Sequence, residues 1–159
     1  MMKNTKLMMA YGMNTNKSQM AQRCPKAVSL GKAVLYGHEF RFSRHADIIE
    51  NPEFVTHGVL WEITPECEIA LDALEGFPEY YLKKMVNVFY NGKPVECMVY
   101  YMNNDYPDEL PSPGYLEMLC EGYAEHDIST KQIDESLEFI EDLHYRELEN
   151  QQKYFQQFN

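Results

Sequence analysis

The stretch from Gly58 to Gly76, GVLWEITPECEIALDALEG, constrains the fold more than any other segment. Its first residues alternate between apolar and other side chains, which predicts a strand with one buried face. Thr64 can cap a helix, Pro65 suits a first turn because it has no amide to satisfy, and Glu66 faces the positive helix end. Gly76 favours a left-handed stop. We therefore expect a strand and then a helix, with a buried face formed by Ile69, Ala70, Leu71, Ala73 and Leu74.

Glu75 is the last residue before that predicted stop. The helix macrodipole disfavours a negative charge at the carboxyl end, and the apolar neighbours Leu74 and Phe77 disfavour it further. Both effects raise the pKa of a carboxyl group, which suits a general base that works near neutral pH. The position alone is also typical of a solvated surface glutamate, so the rest of the chain must decide between these interpretations.

The composition describes an acidic globular chain of one domain. The net charge is −11 and the isoelectric point is about 4.8. Phosphate backbones and anionic membranes repel such a protein, so we expect neither nucleic acid nor a membrane as partner. The apolar run Leu7–Tyr11 is too short for a signal peptide, and no run approaches the roughly 18 apolar residues of a membrane span. We therefore expect a cytoplasmic protein.

The cysteines and histidines form no recognisable ligand motif. The cysteines, Cys24, Cys67, Cys97 and Cys120, are widely spaced. They are compatible with a disulfide framework in a secreted chain or with reduced core thiols in a cytosolic one, and the lack of a secretion signal favours reduced thiols. The histidines never combine H-x-x-x-H spacing with a third ligand, and there is no P-loop or G-x-G-x-x-G. We expect no metal and no cofactor.

The remaining segments alternate between strand and helix patterns. Strands are predicted at Lys6–Tyr11, Ala27–Leu35, Glu39–Phe42, Leu82–Tyr90 and Val95–Met102, and helical segments at Asn16–Arg23, at Tyr115–Tyr123 and from Ser129. Gly37 is expected to join two of the strands, and Asn91-Gly92 predicts a tight hairpin. The segment Ala46–Phe54 contains an Asn-Pro turn and has no clear period. This mixture predicts an α+β fold, a small, strongly bent mixed sheet or partial β-barrel with flanking helices.

The chain divides by composition into residues 1–145 and a polar tail. Residues 146–159, RELENQQKYFQQFN, are polar with three late aromatic residues. We expect this tail to continue the preceding helix or to pack against a partner, which includes a second copy of the chain in a homodimer.

Three separated motifs complete the pattern. They are a strand that ends in a turn, MAYGMN with Tyr11, Gly12, Met13 and Asn14; LDALEG with Glu75; and PSPGY, which opens a helix with Tyr115. In their order and spacing they resemble the γ-glutamylcyclotransferase family, whose pattern is Tyr-Gly-Ser-Asn, L-D-x-x-E-G and Pro-Ser-Pro-x-Tyr. The resemblance extends from Lys6 to Glu141 and includes Tyr81 before the hairpin.

The resemblance implies a cofactor-free cyclisation of a γ-glutamyl amine or peptide. The substrate's own α-amino group attacks its γ-carbonyl, which releases 5-oxoproline and a free amine. It implies Glu75 as the general base and acid, because one carboxyl of raised pKa can take the proton and then return it. It also implies that the turn Tyr11–Asn14 binds the substrate through backbone amides and that Tyr81 and Tyr115 offer phenol donors.

The sequence departs from the family pattern at Met13, which replaces the usual serine of the turn. Backbone amides are unaffected by this change, whereas a serine hydroxyl that binds substrate would be lost. The departure casts doubt on glutathione-related substrates and leaves room for another γ-glutamyl amine. Two alternatives stay open, a protein of the same fold that binds a small molecule without turnover and an interaction protein that docks a partner through its acidic C-terminal helix.

Overall fold

A computed structural model describes residues 4–158, and in it five strands form one closed barrel in the order β1-β3-β2-β4-β5. The strands are β1 (Lys6–Ala10), β2 (Val28–Ser43), β3 (His45–Ile63), β4 (Tyr81–Tyr90) and β5 (Lys93–Met102). The helices are α1 (Lys17–Arg23), α2 (Pro65–Glu75), α3 (Pro113–Glu125) and α4 (Lys131–Phe158). A short 3-10 turn, Met13–Thr15, follows β1.

The first strand closes the barrel because it pairs on both sides. It runs antiparallel to β3, from Lys6 opposite Ile63 to Ala10 opposite Val59. Its other side pairs in parallel with β5, where Met8 lies opposite Met98. The α+β prediction with a strongly bent mixed sheet is thus confirmed, and the predicted partial barrel is closed.

The longest hairpin corrects two sequence predictions. The segments expected as two strands joined at Gly37 form the single strand β2, and the segment expected to turn at Asn51-Pro52 belongs to β3. The pairing shifts between Tyr36 and His38, which lie opposite Val55 and Glu50. Gly37 has φ +74° and forms a bulge instead of reversing the chain. Pro52 lies among the β3 residues that have no partner on β2, so its lack of a backbone N–H removes no hydrogen bond between these strands.

The second hairpin agrees with its prediction. Strands β4 and β5 pair from Tyr81 opposite Met102 to Tyr90 opposite Lys93. Asn91 and Gly92 have φ values of 50° and 75°, the two left-handed residues of a two-residue hairpin turn.

Helix α2 has the predicted ends but a narrower buried face. The Thr64 side chain accepts a hydrogen bond from the Cys67 amide, and Gly76 stops the helix at φ 67°, ψ 38°. Only Cys67 and Leu71, one turn apart, are buried, whereas Ile69 is 71% exposed. The prediction of a wide apolar face was wrong because a helix at the barrel rim packs along a single row of side chains.

The expectation of four reduced cysteines was wrong for two of them. Cys24, which follows α1, forms a disulfide with Cys67 in the first turn of α2. The two Cα atoms lie 5.0 Å apart although the residues are 43 positions apart in sequence, so only the packing of α1 beside α2 brings them together. Cys97 and Cys120 are free thiols, and Cys97 is buried.

Helix α4 projects beyond the barrel. Ile133 and Ile140 are buried, whereas residues 144–157 are all exposed. The helix is continuous across the predicted division after residue 145. That division into a domain and a tail stays a prediction, and residues 1–3 and 159 lie outside the described part of the chain. Within residues 4–158, no helix combines the length and apolar character that crossing a membrane requires.

Candidate functional site

A cavity of about 240 Å³ opens where the end of β1 meets the C-terminal end of α2 and the N-terminal end of α3. All the predicted site residues line it: Tyr11, Gly12, Met13, Asn14, Glu75, Tyr81 and Tyr115. Sequence positions as distant as 11 and 115 therefore converge, because the 3-10 turn, α2 and α3 sit at the same end of the barrel. Other lining residues had not been singled out, notably Arg23, His45, Tyr80 and Tyr100.

Glu75 is partly buried in the cavity wall at the last position of α2. Burial raises the pKa of its carboxyl group, while the Asn14 hydrogen bond and the Arg23 charge lower it. The raised pKa agrees with the direction expected from sequence, and its largest cause is desolvation. A raised pKa is the direction that a general base working near neutral pH requires.

Asn14 links Glu75 to a basic residue. Its Nδ2 donates to Glu75 Oε1 at 3.0 Å, and its Oδ1 accepts from Arg23 Nη1 at 2.5 Å. Asn14 is 7% exposed, and only one orientation of its side-chain amide puts the carbonyl toward the guanidinium and the NH₂ toward the carboxylate. The carboxylate is therefore held through Oε1, while Oε2 has no hydrogen-bond partner within residues 4–158.

The turn after β1 approaches its neighbours closely at Gly12. A Cβ at this position would lie 3.0 Å from Ala46 Cβ and 3.0 Å from Tyr115 Oη, so a side chain would push the turn away. The turn is closed by the Thr15 amide, which donates to the Gly12 carbonyl at 3.0 Å. Met13 lines the cavity where the family pattern has serine, so the cavity wall is apolar at this position.

Tyr115 fixes the turn to the barrel from α3. Its hydroxyl oxygen accepts a hydrogen bond from the Ala46 amide at 3.0 Å. Burial raises the pKa of this phenol, so it stays neutral at ordinary pH. Because this hydrogen bond is made through the oxygen, the hydroxyl proton remains available for donation, as the predicted phenol donor requires.

Two other predicted tyrosines have their hydroxyl protons occupied. Tyr81 donates to the Ala46 carbonyl at 2.7 Å, and Tyr11 donates to the Tyr100 carbonyl at 2.6 Å. Both rings line the cavity, but these bonds oppose the predicted role of Tyr81 as a phenol donor. Sequence reasoning placed both residues at the cavity and could not show which atoms were already bonded.

His45 and Tyr80 complete an aromatic wall that the sequence did not reveal. His45 Nδ1 lies 2.9 Å from the Tyr80 hydroxyl, and its ring packs edge-on against Tyr115 with centroids 5.2 Å apart. Burial and the nearby Arg44 lower the pKa of His45, which favours the neutral imidazole. His45 begins β3, directly before the segment Ala46–Phe54 that has no clear sequence period, and no sequence motif marks it.

No group of three or more histidine, cysteine, aspartate or glutamate side chains within residues 4–158 is arranged to hold a metal ion. The cavity instead combines one carboxyl, one guanidinium and a ring of aromatic side chains.

A known family matches the part of the chain that builds this cavity. The sequence model described as gamma-glutamyl cyclotransferase, AIG2-like, matches residues 8–117. That range includes the turn after β1, the whole of α2 and the first turn of α3, and therefore every residue predicted for the site.

Individual relatives agree with the family match. Gamma-glutamylcyclotransferase of Mus musculus is 28% identical over 156 residues, which cover 89% of this chain and 82% of the mouse protein. The Bos taurus protein of the same name is 30% identical over 134 residues and 76% of this chain, with 71% of its own length covered. A solved structure described as gamma-glutamyl cyclotransferase superimposes with a TM-score of 0.76 at 26% identity, covering 82% of this chain and 86% of that one.

Proposed function

Because the chain belongs to the gamma-glutamyl cyclotransferase, AIG2-like family, we propose that it cyclises the γ-glutamyl group of a γ-glutamyl amine or peptide to 5-oxoproline. The observation that carries this proposal is the Glu75 carboxyl, which faces a small cavity with its pKa raised by burial and with Oε1 held by Asn14. An intramolecular reaction needs a group that moves protons and a pocket that folds the substrate, and this cavity offers both.

The reaction proceeds through two proton transfers at one carboxylate. Glu75 takes a proton from the substrate α-amino group as the nitrogen attacks the γ-carbonyl carbon. The amide C–N bond then breaks, and Glu75 returns the proton to the leaving amine. The products are 5-oxoproline and the free amine, and Glu75 ends in its starting state, so the cycle needs no cofactor.

The remaining polar groups bind and orient the substrate. The Tyr115 hydroxyl donates its free proton to a substrate oxygen, since its own oxygen accepts from the Ala46 amide. The turn at Gly12 and Asn14 brings backbone close to the ligand, and the rings of Tyr11 and Tyr81 exclude water. Met13 contributes apolar surface where a hydroxyl would otherwise bind substrate, which favours γ-glutamyl amines over glutathione-related compounds.

The test is an incubation of the purified protein with a panel of γ-glutamyl amines, with 5-oxoproline measured by mass spectrometry. The panel contains a γ-glutamyl dipeptide, γ-glutamyl-ε-lysine and a γ-glutamyl alkylamine, each with an N-acetylated counterpart whose blocked nitrogen cannot attack. Product is expected only from the free amines. Glu75→Gln should lower the rate by about 10²–10⁴-fold, because an amide cannot accept the proton.

The matched control is Glu79→Gln, the same change at an exposed glutamate close to the end of α2. This variant should keep the wild-type rate. Full 5-oxoproline release by Glu75→Gln would overturn the assigned role. Ligand that is bound and recovered unchanged from the wild-type protein would favour the alternative, a binding protein on the same fold.

A further inference from the structure

Arg23 is the one guanidinium that lines the cavity among residues 4–158, and the sequence motifs do not account for it. It is the last residue of α1 and partly buried. Burial lowers the pKa of this side chain, whereas the neighbouring Glu75 carboxylate favours its charged form. An arginine that is partly desolvated beside a candidate catalytic carboxyl needs a structural reason to be there.

The contacts of Arg23 lead to Glu75 through a single side chain. Arg23 Nη1 donates to Asn14 Oδ1 at 2.5 Å, and Asn14 Nδ2 donates to Glu75 Oε1 at 3.0 Å. The guanidinium can only donate, so it selects the amide orientation that turns the NH₂ toward the carboxylate. Without it, the two orientations of Asn14 would be closer in energy, and the flipped one would place a carbonyl oxygen against Glu75.

The backbone of Arg23 is anchored to the helix that carries Glu75. Cys24, the next residue, is joined by a disulfide to Cys67 on α2. The short helix α1 is also capped by the Asn16 side chain, which accepts from the Gln19 amide. The donor and the carboxylate therefore sit on two elements that are covalently linked, which favours a fixed distance between them.

We propose that Arg23 is a positioning residue that acts through Asn14 to hold Glu75 Oε1, leaving Oε2 directed to the substrate. This inference rests on the function proposed above, because it concerns the same carboxyl. The residue does not touch the reacting atoms. Its effect is to keep the Glu75 carboxyl in place during both proton transfers, because a misplacement of about 1 Å can lower the rate of such a step by as much as about 10²-fold.

Arg23 is also the charged partner of Glu75. The other titratable groups that face this carboxyl are phenols from several elements, Tyr11, Tyr80, Tyr81, Tyr100 and Tyr115, and each has a raised pKa. His45 lines the same cavity from β3, and its pKa is lowered. The phenols and the imidazole are neutral at neutral pH, so removal of the Arg23 charge should raise the pKa of Glu75 further.

The test compares wild type with Arg23→Gln, Arg23→Lys and Arg146→Gln. The last variant removes the same charge from an exposed site on α4 and serves as the matched control. Two quantities are measured in variants whose folding is verified by circular dichroism. They are the pH dependence of kcat and KM for 5-oxoproline release, and the titration of the Glu75 carboxyl by ¹³C NMR in the ligand-free protein.

Arg23→Gln should lower kcat by about tenfold with little change in KM, and both the acid limb of kcat/KM and the NMR titration should move to higher pH. Arg23→Lys should keep the titration near its wild-type position, because the charge remains. Its kcat should stay reduced, because an ammonium lacks the planar fork of a guanidinium. Arg146→Gln should match wild type in every measurement.

A double-mutant cycle with Asn14→Leu tests whether Arg23 acts on Glu75 through Asn14. If Arg23 acts through Asn14, Arg23→Gln should have no further effect on kcat once Asn14 is replaced. Additive losses would overturn the proposal, as would an unchanged Glu75 titration in Arg23→Gln or a rise in KM alone, which would indicate direct substrate binding.

The outcome is separable from that of the proposed function. A wild-type protein that releases no 5-oxoproline defeats the proposed function, while the NMR titration still decides whether Arg23 acts on Glu75. Conversely, a strong loss in Glu75→Gln together with wild-type behaviour in Arg23→Gln keeps the proposed function and defeats this inference.

Discussion

The C-terminal end of α2 and the C-terminal half of α4 are both helical segments that contain glutamate with aromatic residues nearby, yet they have opposite surroundings. At the end of α2, Glu75 faces a cavity lined by buried rings, and its pKa is raised by burial. In α4, Tyr145 and Phe155 are 63% and 64% exposed, and the glutamates around them are exposed as well. Similar residue types thus acquire different chemistry only where packing removes water.

The difference originates in how each helix ends. Gly76 adopts a left-handed conformation and stops α2 at the rim of the barrel, which leaves Glu75 against the turn after β1. Helix α4 has no such stop near the barrel and continues to Phe158. The comparison predicts that the same substitution should change activity or stability strongly at the cavity and only slightly along the projecting part of α4.

The largest contrast is expected between two glycines near the cavity. Gly12→Ala should lower kcat/KM by about 10²-fold, because the new methyl group would lie 3.0 Å from Ala46 Cβ and Tyr115 Oη and displace the turn. Gly114→Ala is the control, since no heavy atom lies within 4 Å of a Cβ at that position. Steady-state kinetics of both variants would make the comparison. Equal activities would mean that the close approach at Gly12 has no functional consequence.

Removal of one hydroxyl tests the same comparison in stability. Tyr115→Phe should lower the free energy of unfolding by about 1–3 kcal/mol, because the Ala46 amide loses its hydrogen-bond acceptor inside the protein. Tyr145→Phe makes the same change on the exposed part of α4 and should be within about 0.5 kcal/mol of wild type. Urea denaturation measures both. A destabilised Tyr145→Phe would indicate that α4 is covered by a partner in solution.

Neutralisation of Glu75 should stabilise the protein at neutral pH. The folded-state pKa of Glu75 is raised, so the folded protein binds this proton more tightly than the unfolded chain, and stability falls as pH rises through the raised pKa. Glu75→Gln removes that loss and should melt at a higher temperature above this pH, with the difference vanishing in acid. Glu149→Gln makes the same change at an exposed position of α4 and serves as the control. A lower melting temperature for Glu75→Gln at neutral pH would contradict the inference that burial raises the pKa of the Glu75 carboxyl.

Removal of the projecting part of α4 should have the smallest effect. A chain that ends after Arg146 loses a part of α4 whose described side chains are all exposed, so its melting temperature and 5-oxoproline release should be close to those of the full chain. Light scattering of both chains also tests the homodimer considered from the sequence. A lower mass after truncation would assign an interface to this part of α4, and a large loss of activity would contradict its separation from the cavity.

The site residues were predictable where local chemistry and a motif coincide. The order Thr64-Pro65-Glu66 and the stop at Gly76 defined α2, and the MAYGMN and PSPGY motifs marked the turn and the start of α3. The Asn91-Gly92 turn fixed one hairpin. In each case a few adjacent residues determine the local backbone conformation, so the prediction did not depend on contacts between distant parts of the chain.

Other features depended on packing that no local pattern encodes. The disulfide between Cys24 and Cys67 and the contact of Arg23 with Asn14 both require α1 to lie beside the cavity. The long hairpin was divided in the sequence prediction because Gly37 and Pro52 are typical turn residues, and here they form a bulge. Glycine and proline indicate an interruption, but the surrounding sheet decides whether the chain reverses or continues.

The central claim is that Glu75 is the proton-transferring group of the cavity, and its titration tests this most directly. The carboxyl of Glu75 would be followed by ¹³C NMR across pH, and kcat/KM for 5-oxoproline release would be measured in the same buffers. The account predicts a Glu75 pKa above that of an ordinary glutamate, coinciding with the acid limb of the rate profile. A Glu75 that titrates as an ordinary surface carboxyl, or an acid limb at a different pH, would contradict it.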